Sequence, residues 1–198
     1  MLKTFSIRCA LLVVALSLCS CGNQEQSNLG ANQAGPSPAA SQSGPQKIKL
    51  TSAAFIDGAA IPSPYTCEGA NVSPPLAWDT LPASARTLAL IADDPDAPGG
   101  TWTHWVYFNL PASVKALTEN VPAEERPAVG GMQGANDFRK TGYGGPCPPS
   151  GTHRYFFKLY ALDTALSLAS GATKDQVLKA MQGHIVAEGQ LIGTYSKR

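Results

Sequence analysis

The sequence predicts a mainly β fold, a β-sandwich with one peripheral helix in its C-terminal region. Three observations lead there: several apolar or alternating runs of strand length, a single late stretch with helical period, and long Pro/Gly-rich connections. Residues 47–54 read as an opening strand. Residues 86–92 (Arg-Thr-Leu-Ala-Leu-Ile-Ala) form a continuous apolar run, as expected of a strand covered on both faces. Residues 104–110 alternate, with His104, Val106, Phe108 and Leu110 on one face and Trp105, Tyr107 and Asn109 on the other. Residues 153–162 behave similarly and put His153, Tyr155, Phe157 and Leu159 on one side. Thr173 and Gln176 make a capping-box pair, Val177, Leu178 and Met181 supply an apolar stripe, and Gly183 closes the helix. Residues 185–195 read as a last strand, and no internal repeat is evident.

Composition narrows the class. The 198 residues are 43% hydrophobic and 15% charged, with a formal net charge of +1. That balance excludes a nucleic-acid binder, which needs a basic face or stripe. No apolar run reaches the roughly 18–20 residues of a spanning helix. The 19 Gly and 16 Pro make about 18% of the chain, short of the proportion that marks a disordered one.

The chain divides into three parts: 1–20, 21–46 and 47–198. In the first, Lys3 and Arg8 precede a short apolar stretch over residues 10–18, the pattern of a secretory signal. It runs into Leu18-Cys19-Ser20-Cys21-Gly22, which resembles the lipobox of bacterial lipoproteins. The resemblance implies a diacylglycerol-linked Cys21 as mature N-terminus. The protein is then expected on the periplasmic side of a bacterial envelope, held to the membrane by its lipid. Gly22 is not acidic, which favours the outer membrane over the inner. The alternative is an ordinary signal peptide with incidental cysteines. After Cys21, residues 22–46 are Gly, Asn, Gln, Ser, Ala and Pro apart from Leu29 and one charge, Glu25, and read as a disordered tether. Loss of Lys3 and Arg8 with the signal takes the 15 basic and 14 acidic residues to 13 and 14, and the third part, the domain, is then neutral.

Three segments crowd polar groups into turns at strand ends. Asp93-Asp94-Pro95-Asp96-Ala97-Pro98-Gly99-Gly100 presents carboxylates on a proline-stiffened turn, yet it is not an EF-hand, since no Glu follows at the required spacing. Taken alone, it is a solvated Asp-Pro turn. Trp102-Thr103-His104 leads into the alternating strand, where a lone His is ordinarily a satisfied core group. Tyr143-Gly144-Gly145-Pro146-Cys147-Pro148-Pro149-Ser150-Gly151-Thr152-His153-Arg154-Tyr155 offers glycines for close backbone approach and prolines for stiffness. It has neither the Gly-Lys-Ser/Thr of a P-loop nor the third glycine of a dinucleotide fingerprint.

In this order and spacing the three segments resemble the phosphatidylethanolamine-binding protein family. The stretches Cys67-Glu68-Gly69-Ala70-Asn71-Val72-Ser73-Pro74-Pro75-Leu76-Ala77-Trp78 and Gly134-Ala135-Asn136-Asp137-Phe138 resemble its bacterial, Raf kinase inhibitor-like branch. The resemblance runs from about residue 48 to the C-terminus and implies a β-sandwich with a small anion pocket at one end. By motif, Asp94, His104 and His153 line that pocket, while Ala97, Pro98, Trp102, Gly145, Pro146 and Tyr155 form its walls and rim. His184 matches no pocket motif and is expected to be structural. The opening strand region is short and the C-terminal helix of the animal proteins is missing, so their ligand preference and kinase recognition do not transfer. The resemblance also brings Cys67 and Cys147 near the rim, where an oxidising compartment favours a disulfide. Two free thiols or a Cys67/Cys147 metal pair are the alternatives.

The expected function is a non-catalytic binding module for a small anionic group, a phosphate head group or a carboxylate. It would act as an inhibitor of an envelope protease or hydrolase, or as a sensor, and the family resemblance implies a homodimer. No cofactor and no metal is expected, because two His and one Asp lack a diagnostic zinc spacing. The alternative is a hydrolase using Asp94, His104 and His153, with Ser150 or Cys147 as nucleophile. Against it, the Gly-Xaa-Ser-Xaa-Gly elbow is absent.

Overall fold

A computed structural model describes residues 44–197. The signal and most of the tether expected for residues 1–46, including Cys21, lie outside the described residues. Among those described, nine strands form two sheets. They are β1 (Gln46–Lys47), β2 (Leu50–Thr51), β3 (Leu76–Trp78), β4 (Thr87–Asp94), β5 (Trp102–Pro111), β6 (Ala116–Leu117), β7 (Met132–Gln133), β8 (Thr152–Leu162) and β9 (Ile185–Ser196). The larger sheet has the order β1-β9-β8-β4-β5-β7 and the smaller β2-β3-β6. One helix, α1 (Lys174–Ala180), precedes β9.

The apolar run at 86–92 becomes β4, between β8 and β5, and it is buried on both faces as expected. Its Leu88, Leu90 and Ala92 join Trp78, Leu76 and Leu117 in the core between the sheets. Ala89 and Ile91 face the opposite way, against Val177 and Met181 of the α1 region. Capping of α1 follows the sequence: the Gln176 N–H donates to Thr173 Oγ1 and the Thr173 N–H donates to Gln176 Oε1. The stripe is narrower than expected, because Leu178 is exposed while Val177 and Met181 are buried.

Two expectations are corrected. Residues 47–54 are not one strand. Gln46–Lys47 pairs in parallel with β9, and Leu50–Thr51 pairs with β3 in the other sheet. The chain crosses between sheets where the Ile48 N–H donates to the Glu188 carbonyl and the Lys49 N–H to Asp79 Oδ1. Nor does β5 alternate throughout. Leu88 pairs with Leu110 but Leu90 with Tyr107, so β5 carries an extra residue there, and Asn109 sits at φ 55°. This bulge returns Leu110 to the Trp105/Tyr107 core rather than the Val106/Phe108 side. The Asn109 amide is also used: it donates to the Leu166 carbonyl and accepts from the Leu166 N–H.

The crossing at 48–49 depends on a residue without a side chain. A Cβ on Gly189 of β9 would lie 2.1 Å from the Ile48 carbonyl oxygen, a backbone atom that cannot step aside. Gly189→Ala is therefore expected to cost about 1–3 kcal/mol in chemical denaturation, the range for forced overpacking. A cost near zero would show that the β1–β2 crossing yields freely.

Candidate functional site

The site is built where β4, β5 and β8 end together. Asp94 closes β4, and alternation sends its side chain to the opposite face from Asp93. Asp93 pairs with Lys158 at 3.0 Å and Lys174 at 3.7 Å. Asp94, 3% exposed, accepts the His153 Nδ1–H at 2.7 Å through Oδ2 and the Asp96 N–H at 2.8 Å through Oδ1. The second bond is the local reason the Asp-Pro turn is stiff. Asp96 then faces Arg154 in a two-pronged pair, at 2.9 Å to Nε and 2.7 Å to Nη2. Those bonds hold the Asp96 carboxyl down to about 2.

His104 owes its direction to a second bulge. Ala92 pairs with Trp105 and Asp93 with Thr103, which leaves His104 as the extra residue. The expected placement beside Val106 and Phe108 is thereby corrected. The His104 ring instead meets Tyr155 edge-on at 5.1 Å and Phe138 at 5.3 Å. Its Nδ1–H donates to the Gly144 carbonyl at 2.6 Å, since a carbonyl can only accept. Burial pushes the imidazole below its ordinary value; the Gly144 bond and the field of Asp94 work against that push without reversing it. Both histidines thus spend Nδ1 on the protein, and neither Nε2 has a protein partner among the described residues.

Around them lies a cavity of about 670 Å³ whose lining includes Asp94, Ala97, Pro98, Trp102, His104 and His153. Gly145, Pro146 and Tyr155 are not among its lining residues, and Gly145 lines a smaller neighbouring cavity together with Phe138 and Cys147. Tyr155 supports the His104 ring, and burial beside Asp94 holds its phenol protonated far above the ordinary range. The Gly145 N–H donates to Asn71 Oδ1 at 2.7 Å, and a Cβ there would lie 2.5 Å from the Tyr65 carbonyl oxygen. The close approach that glycine permits is to the 65–71 loop. The Pro146 carbonyl accepts the Cys67 N–H at 3.0 Å, and Cys67 and Cys147 form a disulfide with Cα atoms 5.4 Å apart, in place of free thiols or a metal pair. Among the described residues no group of three or more His, Cys, Asp or Glu could hold a metal ion. His184 lies elsewhere, bonded to Asp163.

Sequence reasoning missed Asp137, Phe138 and Arg139, which also line the cavity. Residues 136–140 fold back as a tight turn about Asn136. Its Oδ1 accepts the Lys140 N–H, and its Nδ2 donates to the Gly142 carbonyl. Arg139 sits at φ 59° and has no ion-pair partner among the described residues. The turn is docked on β5 by Asp137, whose Oδ2 accepts the Thr103 N–H at 2.6 Å. The Gly134–Phe138 motif was visible in the sequence, but that pairing across 34 residues was not.

The fold is thus a β-sandwich whose central strands end in a buried Asp–His pair beside a second, bulged histidine, with one cavity lined by all three residues. Residues 51–196 match the family model for phosphatidylethanolamine-binding protein, and the chain belongs to that family. A UPF0098 protein of Methanothermobacter thermautotrophicus is 57% identical over 150 residues, covering 76% of this chain and 99% of the relative. Among solved structures, the phosphatidylethanolamine-binding protein homologue CT736 of Chlamydia trachomatis has a TM-score of 0.71 at 43% identity, covering 77% of this chain and 99% of its own. The E. coli protein YbcL, described as a member of the mammalian family, gives 0.69 at 33% identity over 76% and 99%.

The disulfide closes a loop of 80 residues, and Cys147 is itself part of the cavity lining. Replacing both cysteines with alanine is expected to lower the unfolding free energy by up to about 4–5 kcal/mol on the chain-entropy model. Hydrogen exchange at the amides of position 67 and of Gly145 should quicken in that variant before that of β4 or β8. Uniform quickening would instead mean that the bridge supports the whole domain.

Proposed function

We propose that the protein is a non-catalytic binding module whose pocket holds a small anionic group, a phosphate head group or a carboxylate. The observation that carries this reading is that His104 and His153, each with Nδ1 already engaged by the protein, line one cavity together with Arg139. Imidazoles whose Nδ1 atoms are already engaged present a defined donor or acceptor, and charge-assisted bonds to an anion are the strong kind. A hydrolase needs a nucleophile within reach of a base. Ser150 is not among the cavity-lining residues, and Cys147 is tied up in the disulfide.

The reading extends to the cell. Lipidation at Cys21 would tether the domain to the outer membrane of a bacterial envelope on its periplasmic side. A binding module held there would act on an envelope protease or hydrolase as inhibitor, or report on a ligand as sensor, either as a monomer or as a homodimer.

Benzenesulfonate tests the pocket, because it stays a monoanion between pH 5 and 8. Burial holds His104 below its ordinary value, so it is neutral at pH 8 and gains its proton only as the pH falls below about 6.5. An anion stabilises the protonated ring. Calorimetric affinity should therefore rise toward pH 5, by up to about tenfold for each pKa unit the bound anion adds. His104→Ala should flatten that rise, and His153→Ala should weaken binding throughout. Equal binding by wild type and both variants would remove the pocket assignment.

A further inference from the structure

The choice between phosphate and carboxylate can be narrowed by the charges that face the cavity. From the end of β4 comes the Asp94 carboxylate and from the 136–140 turn Asp137, which has no cationic partner among the described residues. From the same turn comes Arg139. Asp96, next along from β4, is already neutralised by Arg154. His104 comes from β5, held toward its neutral form by burial, and His153 comes from β8, bonded to Asp94. Tyr155, against the His104 ring, stays protonated. Two acidic residues, Asp94 and Asp137, and one arginine thus line the cavity, and a second full cation is supplied only by a histidine. The field of Asp94, Asp137 and Asp93 at His104 is of the sign that favours added positive charge. A dianion placed among these groups would meet two like charges in a partly desolvated site, whereas a monoanion is matched by Arg139 alone at pH 8 and gains an imidazole proton as the pH falls.

The mouth adds a second observation. Trp102 is 40% and Phe138 37% exposed, and their rings meet edge-on at 5.5 Å. Pro98 and Pro149 continue this surface beside the polar floor. Large exposed apolar residues grouped beside a polar pocket mark a contact for an apolar group of the ligand. The required ligand therefore carries one negative charge with an apolar side group adjoining it.

We infer that the pocket receives the C-terminal residue of a polypeptide, its single carboxylate among Arg139, His104 and His153 and an apolar side chain against Trp102 and Phe138. This rests on the anion-pocket reading above and assigns its ligand class. Capture of a chain-terminal carboxylate is an established way to recognise a peptide, and it suits a single compact charge. Phe138 has a double task, since it packs on the His104 ring and offers its outer face to the ligand.

The test compares four probes on the full chain at pH 8 by calorimetry: acetyl-Ala-Ala-Phe with a free carboxylate, its C-terminal amide, acetyl-Ala-Ala-Gly with a free carboxylate, and phenyl phosphate. The free Phe acid should bind about 10- to 100-fold more tightly than the amide, the usual worth of a charge-assisted bond. It should also exceed the Gly acid by about tenfold through burial of the ring. Phenyl phosphate, a dianion at this pH, should bind more weakly than the Phe acid and recover at pH 5. Arg139→Gln should erase the acid-over-amide preference, while Phe138→Leu should shrink only the Phe-over-Gly preference. Equal binding of acid and amide, or tighter binding of phenyl phosphate at pH 8, would overturn the carboxylate assignment while leaving an anion pocket standing. Failure of every anion, benzenesulfonate included, would overturn the anion-pocket reading itself.

Discussion

A carboxylate left at the end of a central strand with 3% exposure must be compensated, because an uncompensated buried charge is among the costliest features a fold can carry. Asp94 is compensated twice, by the Nδ1–H of His153 and by the N–H of Asp96. The His153 bond ties the end of β4 to the start of β8, and the Asp96 bond ties the strand to its own turn. Once both are made, the rest of the site follows. Asp96 is held where it can pair with Arg154, and the imidazole of His153 is fixed in one orientation with one nitrogen to spare. Breaking such a pair by removing one partner strands the other, so the arrangement specifies a single geometry even where its net stabilisation is small.

The opposite wall is held by different means. The 143–151 loop lies outside regular structure and is fastened at separate points. The Gly144 carbonyl accepts from His104, the Gly145 N–H donates to Asn71, the Pro146 carbonyl accepts from Cys67, and Cys147 is bridged to Cys67. Glycine appears where the 65–71 loop comes within contact of the backbone, and proline where no donor is needed. His104, which lines the cavity, is thus coupled directly to the loop the disulfide restrains. Charge fixes one side of the pocket, and covalent and backbone bonds fix the other.

Much of this was legible in the sequence for stated physical reasons. The run at 86–92 signalled burial on both faces, and the Thr173/Gln176 pair signalled a capped helix start; both depend on local pattern alone. Asp94, His104 and His153 were found by motif, and the cysteine pair by the resemblance and the redox argument. What escaped was non-local. The bulges at His104 and Asn109 change which face a side chain occupies, and only pairing with β4 exposes them. Gly145 and Tyr155 have the right chemistry for a rim, yet Tyr155 is buried against the His104 ring and Gly145 lines the smaller neighbouring cavity. Asp137, Phe138 and Arg139 reach the cavity only because Asp137 docks on Thr103, a contact with no local signature.

Both imidazoles spend Nδ1 on the protein and leave Nε2 without a protein partner among the described residues, and the proposed anion pocket depends on that tautomer. Long-range proton–nitrogen NMR of the histidine rings at pH 8 reads this directly. His104 should show a protonated Nδ1 and a lone-pair Nε2, and only Nε2 should shift when an anion is added. A ring found with its proton on Nε2 and an unprotonated Nδ1, or one whose Nδ1 responds to the anion instead, would contradict it.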